Sequence, residues 1–88
     1  MIVPVELFAA AAAALGRTTD EFELPSSAVL GDLVDALGAR AAASEDPANA
    51  SAVLARCTYL VEGVATTDRD APLTAGSAVD VLPPFSGG

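Results

Sequence analysis

The chain contains no lysine, no histidine and no tryptophan, and it has a single cysteine, Cys57. Without histidine there can be no Cys–His nucleophile pair and no His-ligated metal site. A lone cysteine excludes an internal disulfide framework and agrees with a reducing cytosol. The only cationic side chains are Arg17, Arg40, Arg56 and Arg69, against twelve carboxylates, which gives a formal net charge of −8. Phosphate backbones repel such a chain, so nucleic acid is not an expected partner, whereas a partner with a basic groove suits it. Without a lysine, the chain also cannot be cross-linked to itself through a side-chain amine.

Long apolar runs are missing as well. The stretch Leu7 to Leu15 is far shorter than the roughly 20 residues that span a bilayer, and Glu6 precedes it where a signal peptide would carry positive charge. The expectation is a cytoplasmic, mature protein with no membrane partner. Three Phe and one Tyr are the only aromatics, and Ala supplies much of the 52% hydrophobic content. An 88-residue chain of this kind fits one small domain with a modest aliphatic core.

Val3, Val5 and Leu7 alternate with Pro4, Glu6 and Phe8, the period of a strand with one buried face. Pro4 has no N–H, so its amide position must lie where no partner strand needs it. Ala9 to Leu15, closed by Gly16, predicts a short helix, and Thr18 to Leu24 predicts a second strand. Leu30, Leu33, Val34, Leu37 and Ala41 recur at helical spacing, with Asp32, Asp35 and Arg40 opposite, and form the strongest amphipathic helix. Ser44 to Ser51 reads as a solvated loop, with a helical turn over Ala50 to Arg56. Strand-forming residues return from Cys57 to Glu62, where Glu62-Gly63 makes a turn, then a short segment spans Val64 to Thr66. Val79 and Val81 mark a last strand.

This order predicts an α+β fold, a mixed sheet with one main helix on one face. The expected core is Val3, Val5, Leu7, Phe22, Leu30, Leu33, Leu37, Tyr59, Val61, Val79 and Val81. Cys57, in phase with Tyr59, is expected to be buried and inert. Strand phase turns Phe8, Leu60 and Leu82 away from the helix. With Phe85 following in the tail, they make a candidate docking surface for a chain that is monomeric when alone.

No glycine-rich phosphate loop, nucleophile elbow or metal-spaced ligand set is present. The distinctive segment is Leu82-Pro83-Pro84-Phe85-Ser86-Gly87-Gly88. Two prolines of fixed φ stiffen its base and two residues without side chains form its tip. Such a probe can enter a narrow channel and present the carboxylate of Gly88 inside another protein. The chain thus divides into a domain over 1–82 and a tail over 83–88.

Val5-Glu6-Leu7-Phe8-Ala9, Gly31-Asp32-Leu33, Val61-Glu62-Gly63, Pro72-Leu73 and Val79-Asp80-Val81-Leu82-Pro83-Pro84-Phe85-Ser86-Gly87-Gly88 resemble the MoaD/ThiS family of ubiquitin-like sulfur carriers across essentially the whole chain. The closing Pro-Pro-x-x-Gly-Gly looks most like the small subunit of molybdopterin synthase. Two turns depart from the family pattern. The family often has Asn-Gly where Glu62-Gly63 stands, and Gly-Asp where Gly76-Ser77 stands.

The resemblance implies a β-grasp fold and a protein that is not an enzyme by itself. It binds no cofactor or metal, and ATP is used by its activating enzyme. An E1-like adenylyltransferase would adenylate Gly88, and a persulfide protein would supply sulfur to make a thiocarboxylate. The large subunit of molybdopterin synthase would then receive the tail. In that scheme Gly88 reacts, Gly87 gives clearance, Pro83 and Pro84 aim the tail, and Phe8, Leu60, Leu82 and Phe85 dock. The alternatives are a carrier for thiamine, cysteine or another sulfur-containing metabolite, and a ubiquitin-like protein modifier.

Overall fold

A computed structural model describes residues 1–84. The first strand, β1 (Ile2–Leu7), buries Val3, Val5 and Leu7 and turns the intervening side chains outward, as its alternation dictates. It pairs antiparallel with β2 (Thr19–Glu23), placing Val3 opposite Phe22. On its other side it runs parallel to β5 (Val79–Leu82), with Val5 opposite Val79 and Leu7 opposite Val81. Next to β5 lies β3 (Thr58–Val61), which in turn pairs with β4 (Val64–Thr66). The sheet order is β2-β1-β5-β3-β4, so the last strand in sequence is the central one in space.

Pro4 fits this arrangement without losing a ladder bond. The Leu7 N–H donates to the Thr18 carbonyl at 2.8 Å, and the Met1 carbonyl accepts from the Leu24 N–H at 2.9 Å. The odd-numbered residues of β1 therefore face β2. Pro4 faces the β5 side, where pairing starts only at Val5.

Three helices pack on the inner face of the sheet and around its end. The main one, α2 (Leu30–Ala42), lays Leu30, Leu33, Leu37 and Ala41 against the sheet and leaves Asp32, Asp35 and Arg40 in solvent. Its exposed N–H groups are met locally and at long range. The Asp32 carboxylate accepts from the Val29 N–H at 2.9 Å, and the carbonyls of Ala71 and Arg69 accept from Leu30 and Gly31, each at 2.8 Å. Glycine at 31 suits that second contact, because a Cβ there would lie 3.1 Å from the Arg69 carbonyl oxygen and the backbone carrying it would have to give by a few tenths of an ångström. Arg69 completes the strap with a 2.9 Å hydrogen bond to Asp35, and this contact raises the arginine's pKa further.

The short α1 (Ala9–Leu15) ends at Gly16, whose φ of 70° makes the left-handed stop that its sequence predicts. Residues Pro47–Ala55 form α3, longer than the helical turn expected there and lying partly in the stretch read as a solvated loop. The physical reason is an N-terminal cap. The Asp46 carboxylate accepts from the Asn49 N–H at 3.2 Å, and Pro47 occupies the first turn, where its missing N–H costs nothing. Ala50 and Leu54 then face the core.

The expected core forms, with one exception. Val61 is only half-buried, because its partner Val64 lies on the short outer strand and is 67% exposed. Ala11, Ala41, Ala50, Leu54 and Leu73 join the core. Cys57 is buried as expected; burial pushes its thiol pKa up. The same effect is larger for Tyr59, whose hydroxyl is pushed up to about 12, first by burial and then by the nearby Cys57.

Glu62 and Gly63 carry the β3–β4 turn with φ values of 51° and 81°. Two consecutive positive φ angles are those of a type I′ hairpin, which favours Asn-Gly. Asn adopts this conformation more readily than Glu. Glu62→Asn should therefore stabilise the fold by about 0.5–1 kcal/mol, in the range of favourable turn substitutions, read as a higher denaturation midpoint with unchanged m-value.

A second local feature gives a pH dependence. Asp20 accepts from Arg40 Nε at 3.0 Å and from an Arg17 guanidinium nitrogen at 3.1 Å, and Arg40 lies 5.0 Å over the Phe22 ring. Burial acts to raise the Asp20 pKa, but the Glu21 N–H and the two arginines outweigh it and hold the carboxyl below its usual 3.8. A depressed folded-state pKa contributes stability above 3.8 that is lost as pH falls through the lower, folded value. Asp20→Asn should lower the denaturation midpoint at neutral pH, and the gap to the parent should close below pH 3.8.

Candidate functional site

The last strand, β5, ends in the middle of the sheet. Leu82, the last residue of β5, lies opposite Thr58 of β3 and is half-buried, and Pro83 and Pro84 follow. On the opposite flank of β5, parallel pairing continues one residue beyond β1, with the Phe8 N–H donating to the Val81 carbonyl at 3.2 Å. Phe8 is therefore fixed beside the tail base, in extended conformation, and its carbonyl starts α1 by accepting from Ala11 at 3.0 Å.

Phe8, Ala9, Leu82, Pro83 and Pro84 together line a groove of about 260 Å³ with no polar side chain in its wall. Ala9 occupies it with a φ of 49°, a left-handed conformation that costs a non-glycine residue about 1–2 kcal/mol. Backbone strain of this sort persists only where the surroundings over-determine it. Here the β1–β5 bond fixes one side of the junction and the first helical turn the other.

The open face of the sheet continues from the groove. Leu60 points outward opposite Asp80, which makes it a diagonal neighbour of Leu82, at about 7–8 Å by antiparallel geometry. Leu60 does not line the groove itself. Farther along, Pro4, Glu6, Glu21 and Asp80 border a broad depression of about 630 Å³. Among the described residues, the arginine ion pairs are made to Asp20 and Asp35, so Glu6, Glu21 and Asp80 are left without a paired cation. The face is therefore apolar at the tail end and negative beyond it.

Of the residues singled out in the sequence, Phe8, Leu82, Pro83 and Pro84 are brought together, and Leu60 is set on the adjoining face. Phe85, Gly87 and Gly88 lie outside the described residues. Ala9 was not anticipated, since an alanine at a strand–helix junction carries no signal of positive φ. Among the described residues no group of His, Cys, Asp and Glu is arranged to hold a metal ion, and no helix is long and apolar enough to cross a membrane.

The chain is similar to SAMP1 from Haloferax volcanii, at 27% identity over 100% of both chains and a TM-score of 0.79. A Pyrococcus furiosus protein assigned as molybdopterin converting factor subunit 1 shares 25% identity, with 97% of this chain and 99% of that one covered and a TM-score of 0.78. The complex of subunits 1 and 2 of molybdopterin-converting factor from Helicobacter pylori contains a chain with the same fold, at 20% identity, full coverage of both chains and a TM-score of 0.68. No curated protein matches. The ThiS family profile matches residues 5–88, through the terminal Gly-Gly. A mixed five-stranded sheet with helices on one face, a central last strand that leads into Pro83 and Pro84, and a family match over nearly all 88 residues make this chain a β-grasp member of the ThiS family of ubiquitin-like sulfur carriers.

Proposed function

We propose that this chain carries sulfur on the carboxylate of Gly88 and delivers it to the pterin precursor that becomes molybdopterin. The observation that carries this proposal is the family match running through Gly88, and the likeness to a molybdopterin converting factor subunit 1 favours this acceptor. A carboxylate is a poor acyl donor, because its charge is delocalised and oxide is a poor leaving group. An E1-like enzyme therefore first joins it to the AMP of ATP and releases pyrophosphate. The outer sulfur of a persulfide then displaces AMP to form an acyl disulfide, and a thiol cleaves its S–S bond, leaving as a disulfide and freeing the thiocarboxylate. The chain supplies no acid or base for these steps. Its part is to dock and to aim.

Docking uses Phe8, Leu60, Leu82 and Phe85, and Pro83 and Pro84 direct the tail. The carrier holds no cofactor of its own. The Helicobacter pylori relative is in complex with subunit 2 of its converting factor, and the corresponding partner here is the large subunit of molybdopterin synthase. The test is to load the chain with sulfur and offer it separately to that large subunit and to thiazole synthase. Sulfur transfer to the pterin precursor alone is the expected result; transfer only with thiazole synthase would reassign the pathway.

A second function is favoured by the likeness to SAMP1, a small archaeal modifier protein. In it the same activated Gly88 is passed to an amine of another protein. Discrete adducts on target proteins, seen by mass, would mark it.

A further inference from the structure

We propose that in the modifier role this chain is an acyl donor that cannot serve as its own acceptor, so that it is attached as single units and never as a chain of copies. The inference rests on the modifier function above and adds to it a limit set by nucleophiles. Acyl transfer from the adenylate needs an amine nitrogen with a free lone pair. That nitrogen attacks the Gly88 carbonyl carbon, a C–N bond forms, the bond to phosphate breaks, AMP departs and the nitrogen loses a proton. ATP and the E1-like enzyme supply the adenylate.

This sequence offers almost nothing to receive the acyl group. It has no lysine. The remaining amine, on Met1, extends the β1–β2 pairing: it donates to the Leu24 carbonyl at 2.7 Å and lies 3.1 Å from the Glu23 carboxylate. The Met1 carbonyl accepts from the Leu24 N–H at 2.9 Å, so both ends of the residue are tied to β2. The Met1 side chain is 7% exposed, and the Glu23 carboxylate that its amine pairs with is 75% exposed, so it is the two contacts, to Leu24 and Glu23, that hold the amine. To react, the amine would have to leave both acceptors and unzip the end of the ladder. A thioester route is closed in the same way, because the Cys57 thiol is buried and donates to the Val53 carbonyl at 3.2 Å.

The experiment incubates the full chain at high concentration with its E1-like enzyme and ATP, with Nα-acetyl-lysine as the probe amine, and reads intact masses. A parallel reaction with a persulfide donor scores thiocarboxylate formation, which judges the carrier function separately. The expected result is an acetyl-lysine adduct and no species at twice the 8.7 kDa mass. A double-mass species joined through Met1 overturns the proposal while leaving the modifier function standing. Failure to form the acetyl-lysine adduct overturns both. Val64→Lys places an amine at a position 67% exposed on β4 and should produce double-mass and higher species. If it does not, although the acetyl-lysine adduct forms, missing amines are not what prevents self-linkage and the proposal falls.

Discussion

Leu33→Ala is expected to destabilise the fold by about 2–5 kcal/mol, the range for emptying a buried leucine site. Leu33 is 0% exposed and stands on the inward face of α2 between Leu30 and Leu37, against the strands that carry Val3, Val5, Val79 and Val81. Those neighbours are β-branched and fixed in a sheet, so they cannot easily collapse into the space. Small domains have little stability in reserve, and about 5–15 kcal/mol is the whole margin of a typical one. The variant should therefore lose a large part of its urea midpoint. A loss well below 1 kcal/mol in denaturant melts would mean that α2 does not hold the sheet.

Appending one Ala after Gly88, or deleting Gly88, should abolish activation and leave stability unchanged. Stability is spared because the last ladder residue is Leu82, six positions before the end of the sequence given. Activation fails because the carboxylate is displaced by a residue's length, whereas reaction needs its atoms within about 3–3.5 Å and a 1 Å error alone can cost about 10²-fold. Gly87→Val tests clearance, since a β-branched side chain restricts the backbone and widens a tip that has no side chains. ATP–pyrophosphate exchange with the E1-like enzyme, followed by intact mass for thiocarboxylate, is the measurement. Normal exchange and sulfur loading by the Ala-extended chain would show that Gly88 is not the reacting residue.

Strand phase and helical spacing made most of the core legible, because Val, Leu and Phe carry a strong periodic signal. Alanine does not. Ala11 and Ala50 are fully buried, yet in a chain this rich in alanine a buried and an exposed one look the same unless, as at Ala41, larger apolar residues set the phase. Leu73 was missed for another reason: it lies in a loop, where no period exists, and is held inward by its N–H bond to the Ala28 carbonyl at 3.0 Å. The helix α3 was hidden by Glu45, Asp46, Pro47 and Asn49, a loop-like composition that also spells an N-cap followed by a first-turn proline. At the site, outward phase identified Leu60 and Leu82. Joining Phe8 to Leu82 requires the parallel β1–β5 pairing, a contact between opposite ends of the chain that no local pattern encodes.

The central position of β5 also has a mechanical meaning. A pull applied beyond Leu82, as when a partner grips the tail, runs along a strand held by β1 on one side and β3 on the other. The load is then borne as shear by two ladders together, and hydrogen bonds must break in concert rather than one after another. A strand at the margin of the sheet would peel. Fixed between its neighbours, the end of the chain can be drawn into a tight channel while the domain behind it stays folded.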